Sequence, residues 1–265
     1  MPEIMKQASI GKLRAQVFND RNSMGEAVVQ DVTEVLLSLL ETKATVNILF
    51  GAAPSQQEVL EGLRLSNLIP WERINAFHMD EYIGLDREAP QGFGNFLDRA
   101  LFKHVPFQNV FYLKGYEGDM QDECQRYSEL LKQYPLDIVL MGIGENGHLA
   151  FNDPPVADFE DPCAVKIVVL DQVCRQQQVN DGCFKSLDEV PKQALTITIP
   201  ELVRPEYLFC TVPDVRKEKA VRMTLTGNIS ESCPASILRN VPSKLYLDKE
   251  SGACLLENQD EGVLK

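Results

Sequence analysis

Only three histidines, His78, His104 and His148, occur in 265 residues, so each imidazole has to be weighed on its own setting. Closely spaced cysteines are missing too. The seven are Cys124, Cys163, Cys174, Cys183, Cys210, Cys233 and Cys254, an odd number with no C-x-x-C pair. That pattern argues against a zinc site and against a disulfide framework, and reduced thiols are expected. Positive charge is scarce: 26 Lys and Arg face 39 Asp and Glu, a formal charge of −13. Nucleic acid or an anionic membrane as partner is therefore excluded, since both need a basic face, whereas a small anion needs only two or three local donors. No apolar run approaches the roughly 18 residues of a membrane-spanning helix. The stretch "MPEIMKQASIGKLRAQVF" lacks the apolar segment of a secretion signal, so a soluble cytoplasmic protein is expected. No repeat, Ser/Gly linker or low-complexity tract marks a boundary, which leaves one domain over 1–265.

What is present is an alternation of strand and helix patterns. Apolar or β-branched runs fall at 45–50, 74–79, 109–113, 136–142, 165–170, 194–199, 207–212 and 244–247. Amphipathic helical segments fall at 24–42, 55–65, 120–134 and 215–227. This order predicts an α/β fold with a mostly parallel sheet covered by helices. In such sheets ligands bind at the carboxyl ends of strands.

Three segments after strand ends carry candidate chemistry. "GAAPSQQ" (51–57) is a small-residue turn feeding a helix, with Pro54 near its start. Free N–H groups there favour an anion. "HMDEYIGL" (78–85) places Asp80 and Glu81 side by side, and an extended backbone would turn only one of them toward a cleft. "GIGENGHLAFNDPP" (142–155) sets His148, the side chain suited to proton transfer near neutrality, in a glycine-rich loop five residues before Asp153.

Together "MDEYIGL" and "GHLAFNDPP", with "GAAPSQQEVLEGL", "VPKQALTITIP" and "KEKAVRMTLTGNISESCPASIL", resemble the glucosamine-6-phosphate deaminase/isomerase family. Its superfamily also holds the 6-phosphogluconolactonases. The likeness runs collinearly over nearly the whole chain, and "AFND" favours the deaminase branch. It implies a single three-layer α/β/α domain, Rossmann-related, with no metal or organic cofactor. It implies a small sugar phosphate as partner and leaves room for a homo-oligomer. The implied reaction opens an amino sugar phosphate ring, moves a proton between C2 and C1, and releases ammonia. Asp80 is then the base for the C2 proton, and His148 the ring-opening acid/base, with Asp153 and Asn146 beside it. Gly51, Ala52, Ala53, Ser55 and Gly147 are expected against the ligand, and Lys219 is the expected phosphate cation. A lactonase-type hydrolase and a catalytically silent sugar-phosphate binder are the alternatives.

The chain departs from the family in four places. Asp153 replaces the usual glutamate, one methylene longer. Asn146 stands where many members have aspartate. The phosphate turn reads Gly51-Ala52-Ala53 instead of paired glycines and a threonine. Gly182 falls at the position of a phosphate-binding arginine, for which Arg175 is the nearest substitute. No counterpart of the basic pair of allosteric members is found near "CAVKI" (163–167).

Overall fold

A computed structural model describes residues 2–257. Its strands are β1 (Ile4–Ile10), β2 (Leu13–Phe18), β3 (Val46–Phe50), β4 (Ile74–His78), β5 (Asp80–Tyr82), β6 (Asn109–Phe111), β7 (Ile138–Met141), β8 (Val165–Val169), β9 (Gln193–Ile197), β10 (Tyr207–Val212) and β11 (Ser243–Asp248). The α-helices are α1 (Arg21–Thr42), α2 (Gln57–Leu65), α3 (Phe93–Leu97), α4 (Met120–Gln133), α5 (Gln172–Asn180), α6 (Ile199–Val203), α7 (Glu218–Thr226) and α8 (Ala253–Glu257).

The main sheet has eight strands in the order β1-β2-β11-β10-β7-β3-β4-β6. All neighbours are parallel except the β1–β2 hairpin. Successive residues of a strand face opposite sides, and the core divides accordingly. Ile138 and Leu140 of β7 pack with Met24, Val28 and Leu36 of α1, whereas Val139 and Met141 pack with Tyr127 of α4 and Val221 of α7. Two apolar cores on either face of one sheet make the three layers. Strand β7 is buried at every position, as a central parallel strand should be.

Three features differ from expectation. The runs at 165–170 and 194–199 do not join the main sheet; β8 and β9 form a separate antiparallel sheet with β5. The N-terminal hairpin was not anticipated because β1 is a half-exposed edge without a clean apolar alternation. Helix α1 starts three residues before the expected 24, where the Asp20 side chain accepts the Ser23 N–H at 2.8 Å and caps it. Among the described residues no two cysteines are joined by a disulfide. Among the described residues no helix is long and apolar enough to cross a membrane.

Candidate active site

Strands β4, β3, β7 and β10 are neighbours, and the segment following each one lines a single cleft. From β3 the chain moves outward to β4 and β6, then returns beside β3 as β7 and continues to β10 and β11. The cleft therefore straddles the point where strand order reverses, the usual ligand position in an open parallel sheet.

After β4, Asp80 lines the cleft. Burial and then the neighbouring Glu81 charge hold its carboxyl well above the usual range. Glu81 turns the other way. Its carboxylate accepts the N–H groups of Tyr82 at 2.9 Å, Phe93 at 3.0 Å and Gly94 at 2.9 Å, tying β5 to the start of α3. That tie brings Phe93 into the cleft wall beside Phe151, the two rings stacked with centroids 5.4 Å apart.

After β7, the loop folds so that the His148 ring lies on Gly144. A Cβ at that glycine would come within 2.1 Å of the ring, so no other residue fits there. His148 Nδ1 is 2.8 Å from Asn146 Oδ1 and 2.9 Å from Asp153 Oδ1. Both are oxygens, so the hydrogen-bond network assigns the ring proton to Nδ1, and among the described residues Nε2 has no partner. Asp153 is fully buried and also accepts from Asn146 Nδ2 at 3.0 Å and the Asp171 N–H at 3.3 Å. Burial alone would raise its pKa; the adjacent His148 and these donors outweigh that and hold it below the ordinary value. Asn152, also fully buried, pins the loop by donating to the Leu149 and Ile197 carbonyls, each at 2.9 Å.

At the anion end, Gly51, Ala52, Ala53 and Ser55 line the cleft. Among the described residues the Ala52 and Ala53 N–H groups have no acceptor. Arg21 braces the turn, donating to Glu58 through Nε at 2.8 Å and Nη2 at 3.0 Å, and to the Pro54 carbonyl at 2.9 Å. After β10 comes the turn 213–217, in which Asp214 takes φ 90°, a conformation glycine would adopt freely. Its N–H bonds Asp248 at 2.9 Å, and its carboxylate accepts the Arg216 N–H at 2.9 Å, which together hold the strained backbone. Lys217 lines the cleft and is only 5% exposed. Burial lowers its pKa, opposed chiefly by Asp181 and Glu145.

The expected residues thus sort into two sets. Asp80, His148, Gly51, Ala52, Ala53 and Ser55 line the cleft, with Asn146 and Asp153 directly behind the imidazole. Three others do not line it. Gly147, at φ 86°, packs under the loop, where a Cβ would meet Cys233 Sγ at 2.8 Å. Arg175 closes a turn instead, its Nη2 donating to the Leu187 carbonyl at 2.6 Å and the Val190 carbonyl at 2.8 Å. Lys219 is exposed on α7. The buried ammonium at the cleft belongs to Lys217, because α7 begins only at Glu218 and a 3₁₀ turn over Val215–Lys217 aims the preceding residue inward. Gln177, Gln178 and Asp181, which also line the cleft, were missed because α5 is polar and gives little periodic signal.

The sequence profile of a family described as glucosamine-6-phosphate isomerases/6-phosphogluconolactonase matches residues 19–247. A glucosamine-6-phosphate deaminase of Bacillus cereus (strain G9842) is 30% identical over 218 residues, covering 81% of each chain. One from Lactobacillus delbrueckii subsp. bulgaricus (strain ATCC BAA-365 / Lb-18) is 28% identical over 219 residues, 82% of this chain and 89% of that one. Among solved structures, a monomeric glucosamine-6-phosphate deaminase superposes with a TM-score of 0.81 at 25% identity, covering 91% of this chain and 99% of its own. A 6-phosphogluconolactonase from Thermotoga maritima shares the fold, with a TM-score of 0.72 at 18% identity over 89% of this chain and 99% of its own.

Proposed function

This chain belongs to the glucosamine-6-phosphate isomerase/6-phosphogluconolactonase family, and from that premise we propose that it converts an amino sugar phosphate, such as glucosamine 6-phosphate, into a ketose phosphate and ammonia. One observation carries the reading. Asp80, His148 with its unpartnered Nε2, and the buried Lys217 ammonium all belong to one cleft, so two proton-transfer groups and an anion anchor can serve one ligand.

The roles follow from position. The phosphate rests on Lys217 and the N–H groups of the 51–55 turn. His148 Nε2 exchanges a proton with the sugar ring oxygen as the ring opens, while Asn146 and Asp153 hold the Nδ1 side of the imidazole. Asp80 takes the C2 proton of the open-chain amino aldose while the aldehyde oxygen gains a proton from water, which gives an enolamine, and it then returns its proton to C1 as the nitrogen gives one up to water. The resulting ketimine at C2 is hydrolysed by water, which releases ammonia and leaves the ketone. A carboxyl with raised proton affinity suits abstraction from carbon.

The test offers hexosamine 6-phosphates and phosphosugar lactones in parallel, following ammonia and acid. Ammonia from a hexosamine phosphate is expected. Acid from a lactone without ammonia would transfer the chain to the lactonase branch, and saturable binding without either product would make it a binding protein.

A further inference from the structure

Besides Asp80 and His148, the charged residues lining the cleft are three cations, Arg21, Arg216 and Lys217, and two carboxylates, Asp181 and Asp214. A phosphate monoester is mainly a dianion near neutrality, its second pKa being about 6. One ammonium matches half of that charge. Lys217, 5% exposed, has no hydrogen bond or ion pair among the described residues and supplies that half. The second cation has to come from a guanidinium, and the two that line the cleft are not equivalent. Arg216 is already held by carboxylates: its Nη2 lies 2.9 Å from Asp181 Oδ1 and 3.0 Å from Asp214 Oδ2, and its Nη1 lies 3.6 Å from Glu145 Oε1. A dianion drawn to Arg216 meets Asp181 and Asp214 at the same place.

Arg21 differs in its count of donors. A guanidinium has five N–H groups, one on Nε and two on each Nη. Nε and one N–H of Nη2 face the Glu58 carboxylate at 2.8 Å and 3.0 Å, and the other Nη2 N–H meets the Pro54 carbonyl at 2.9 Å. The two N–H groups of Nη1 have no partner among the described residues. Arg21 is the first residue of α1, and Gly25 lets that helix close on α2, since a Cβ there would come within 2.7 Å of Glu58 Cβ. Glu58 and Pro54 then hold the guanidinium against the turn whose Ala52 and Ala53 N–H groups also lack an acceptor. Glu58 chiefly, and Asp248 and Asp214 in addition, favour the charged form of Arg21 against burial. Asp214 belongs to the turn that carries Lys217, so the guanidinium lies within electrostatic reach of both anion-end turns.

We infer that Arg21 is a phosphate-binding residue, its Nη1 donating to the ligand phosphate together with Lys217 and the N–H groups of Ala52 and Ala53. The inference rests on the sugar-phosphate reading of the cleft and adds its second cation, supplied from the start of α1. Glu58 then has the task of aiming the guanidinium. Arg175, bonded to the Leu187 and Val190 carbonyls, has no part in the site.

The experiment measures dissociation constants for inorganic phosphate, and KM and kcat for 2-amino-2-deoxyglucose 6-phosphate by ammonia release. Arg21→Met keeps the aliphatic stem and removes the guanidinium. It should weaken phosphate binding about ten- to a hundredfold, the worth of a hydrogen bond to a charged group, and raise KM by a similar factor. The kcat should stay within about threefold, because the contact is made in the ground state and the transition state alike. Glu58→Gln separates ligand binding from bracing. The Nη1 donor and its charge survive there, so phosphate affinity should stay within about threefold of wild type or improve. Equal weakening in Arg21→Met and Glu58→Gln would make Arg21 a brace alone, and unchanged phosphate binding in Arg21→Met would remove it from the site; either result overturns the inference. Unfolding free energies with and without a known concentration of phosphate give the same constants from the stabilisation by ligand. That keeps the outcome readable if loss of the Glu58 pair lowers stability. If the wild-type protein releases no ammonia the deaminase reading fails, while the phosphate constants still decide the role of Arg21.

Discussion

Asp153 is one methylene shorter than the glutamate its motif leads one to expect, yet its carboxylate stands 2.9 Å from His148 Nδ1 and is fully buried. No gap separates the two groups. Asp153→Glu should therefore crowd the imidazole and lower kcat/KM by about ten- to a hundredfold, read in a coupled ammonia assay. A gain in activity would mean that the shorter side chain leaves a functional gap. Lys217→Ala should raise KM at least about tenfold, whereas Lys219→Ala should leave it within about twofold; the reverse would return the anchor to Lys219. Asp80 titrates above an ordinary aspartate, so kcat/KM should rise with pH through a limb lying above the usual carboxylate range. Asp80→Asn should abolish turnover while binding persists. Asp80 and His148 were legible in the sequence because each lies just past a strand of unmistakable apolar character. The assignment of the cation to Lys217 and not Lys219 was not, because it depends on the residue at which α7 begins, and an error of two residues, about half a turn, exchanges a buried ammonium for an exposed one.

At the scale of elements, the interior parallel strands were readable and the pieces that finish the cleft were not. Strand β10 fell where its apolar run lies, since a strand buried on both faces leaves little room for polar residues. Strand β5 is three residues long, and its pairing with β9 is a long-range fact that local pattern does not carry. Helix α5, "QVCRQQQVN", is short and polar; what defines it is the Asp171 side chain capping the Val173 N–H at 3.0 Å, and its contacts with the cleft. Arg175 is the arginine nearest to Gly182, which occupies the position of the family's phosphate-binding arginine, and for that reason it was the expected substitute. Its bonds to the Leu187 and Val190 carbonyls give it a different task, which is to hold the 187–190 turn against α5. Arg175→Ala should cost about 1–3 kcal/mol in denaturant unfolding and leave KM for the sugar unchanged. A selective rise in KM at normal stability would restore it to the ligand site.

The whole molecule stores a pH dependence beneath the site. His78, the last residue of β4, is fully buried, and among the described residues neither ring nitrogen has a hydrogen bond; burial depresses its pKa to about 3 from 6.5. Glu81 Oε2, at 3.7 Å, is too distant to bond the ring. As pH falls below 6.5 the unfolded chain takes up a proton that the folded chain refuses until about 3. Stability should therefore drop through that window, by about 4 kcal/mol at most. Asp80 and Glu81, whose pKa values are raised, act in the opposite sense, since the folded state keeps their protons where the unfolded state has lost them. His78→Phe should flatten the fall in unfolding free energy between about pH 6.5 and 4, and an unchanged slope would assign it to another group. The central claim is that Asp80 carries a proton from C2 to C1 inside this cleft. It is tested most directly with 2-amino-2-deoxyglucose 6-phosphate deuterated at C2, by NMR of the product. The account predicts ammonia release with part of the deuterium recovered at C1 of the ketose phosphate, and neither event in Asp80→Asn. Ammonia release at an undiminished rate by Asp80→Asn, with the same deuterium transfer, would contradict it.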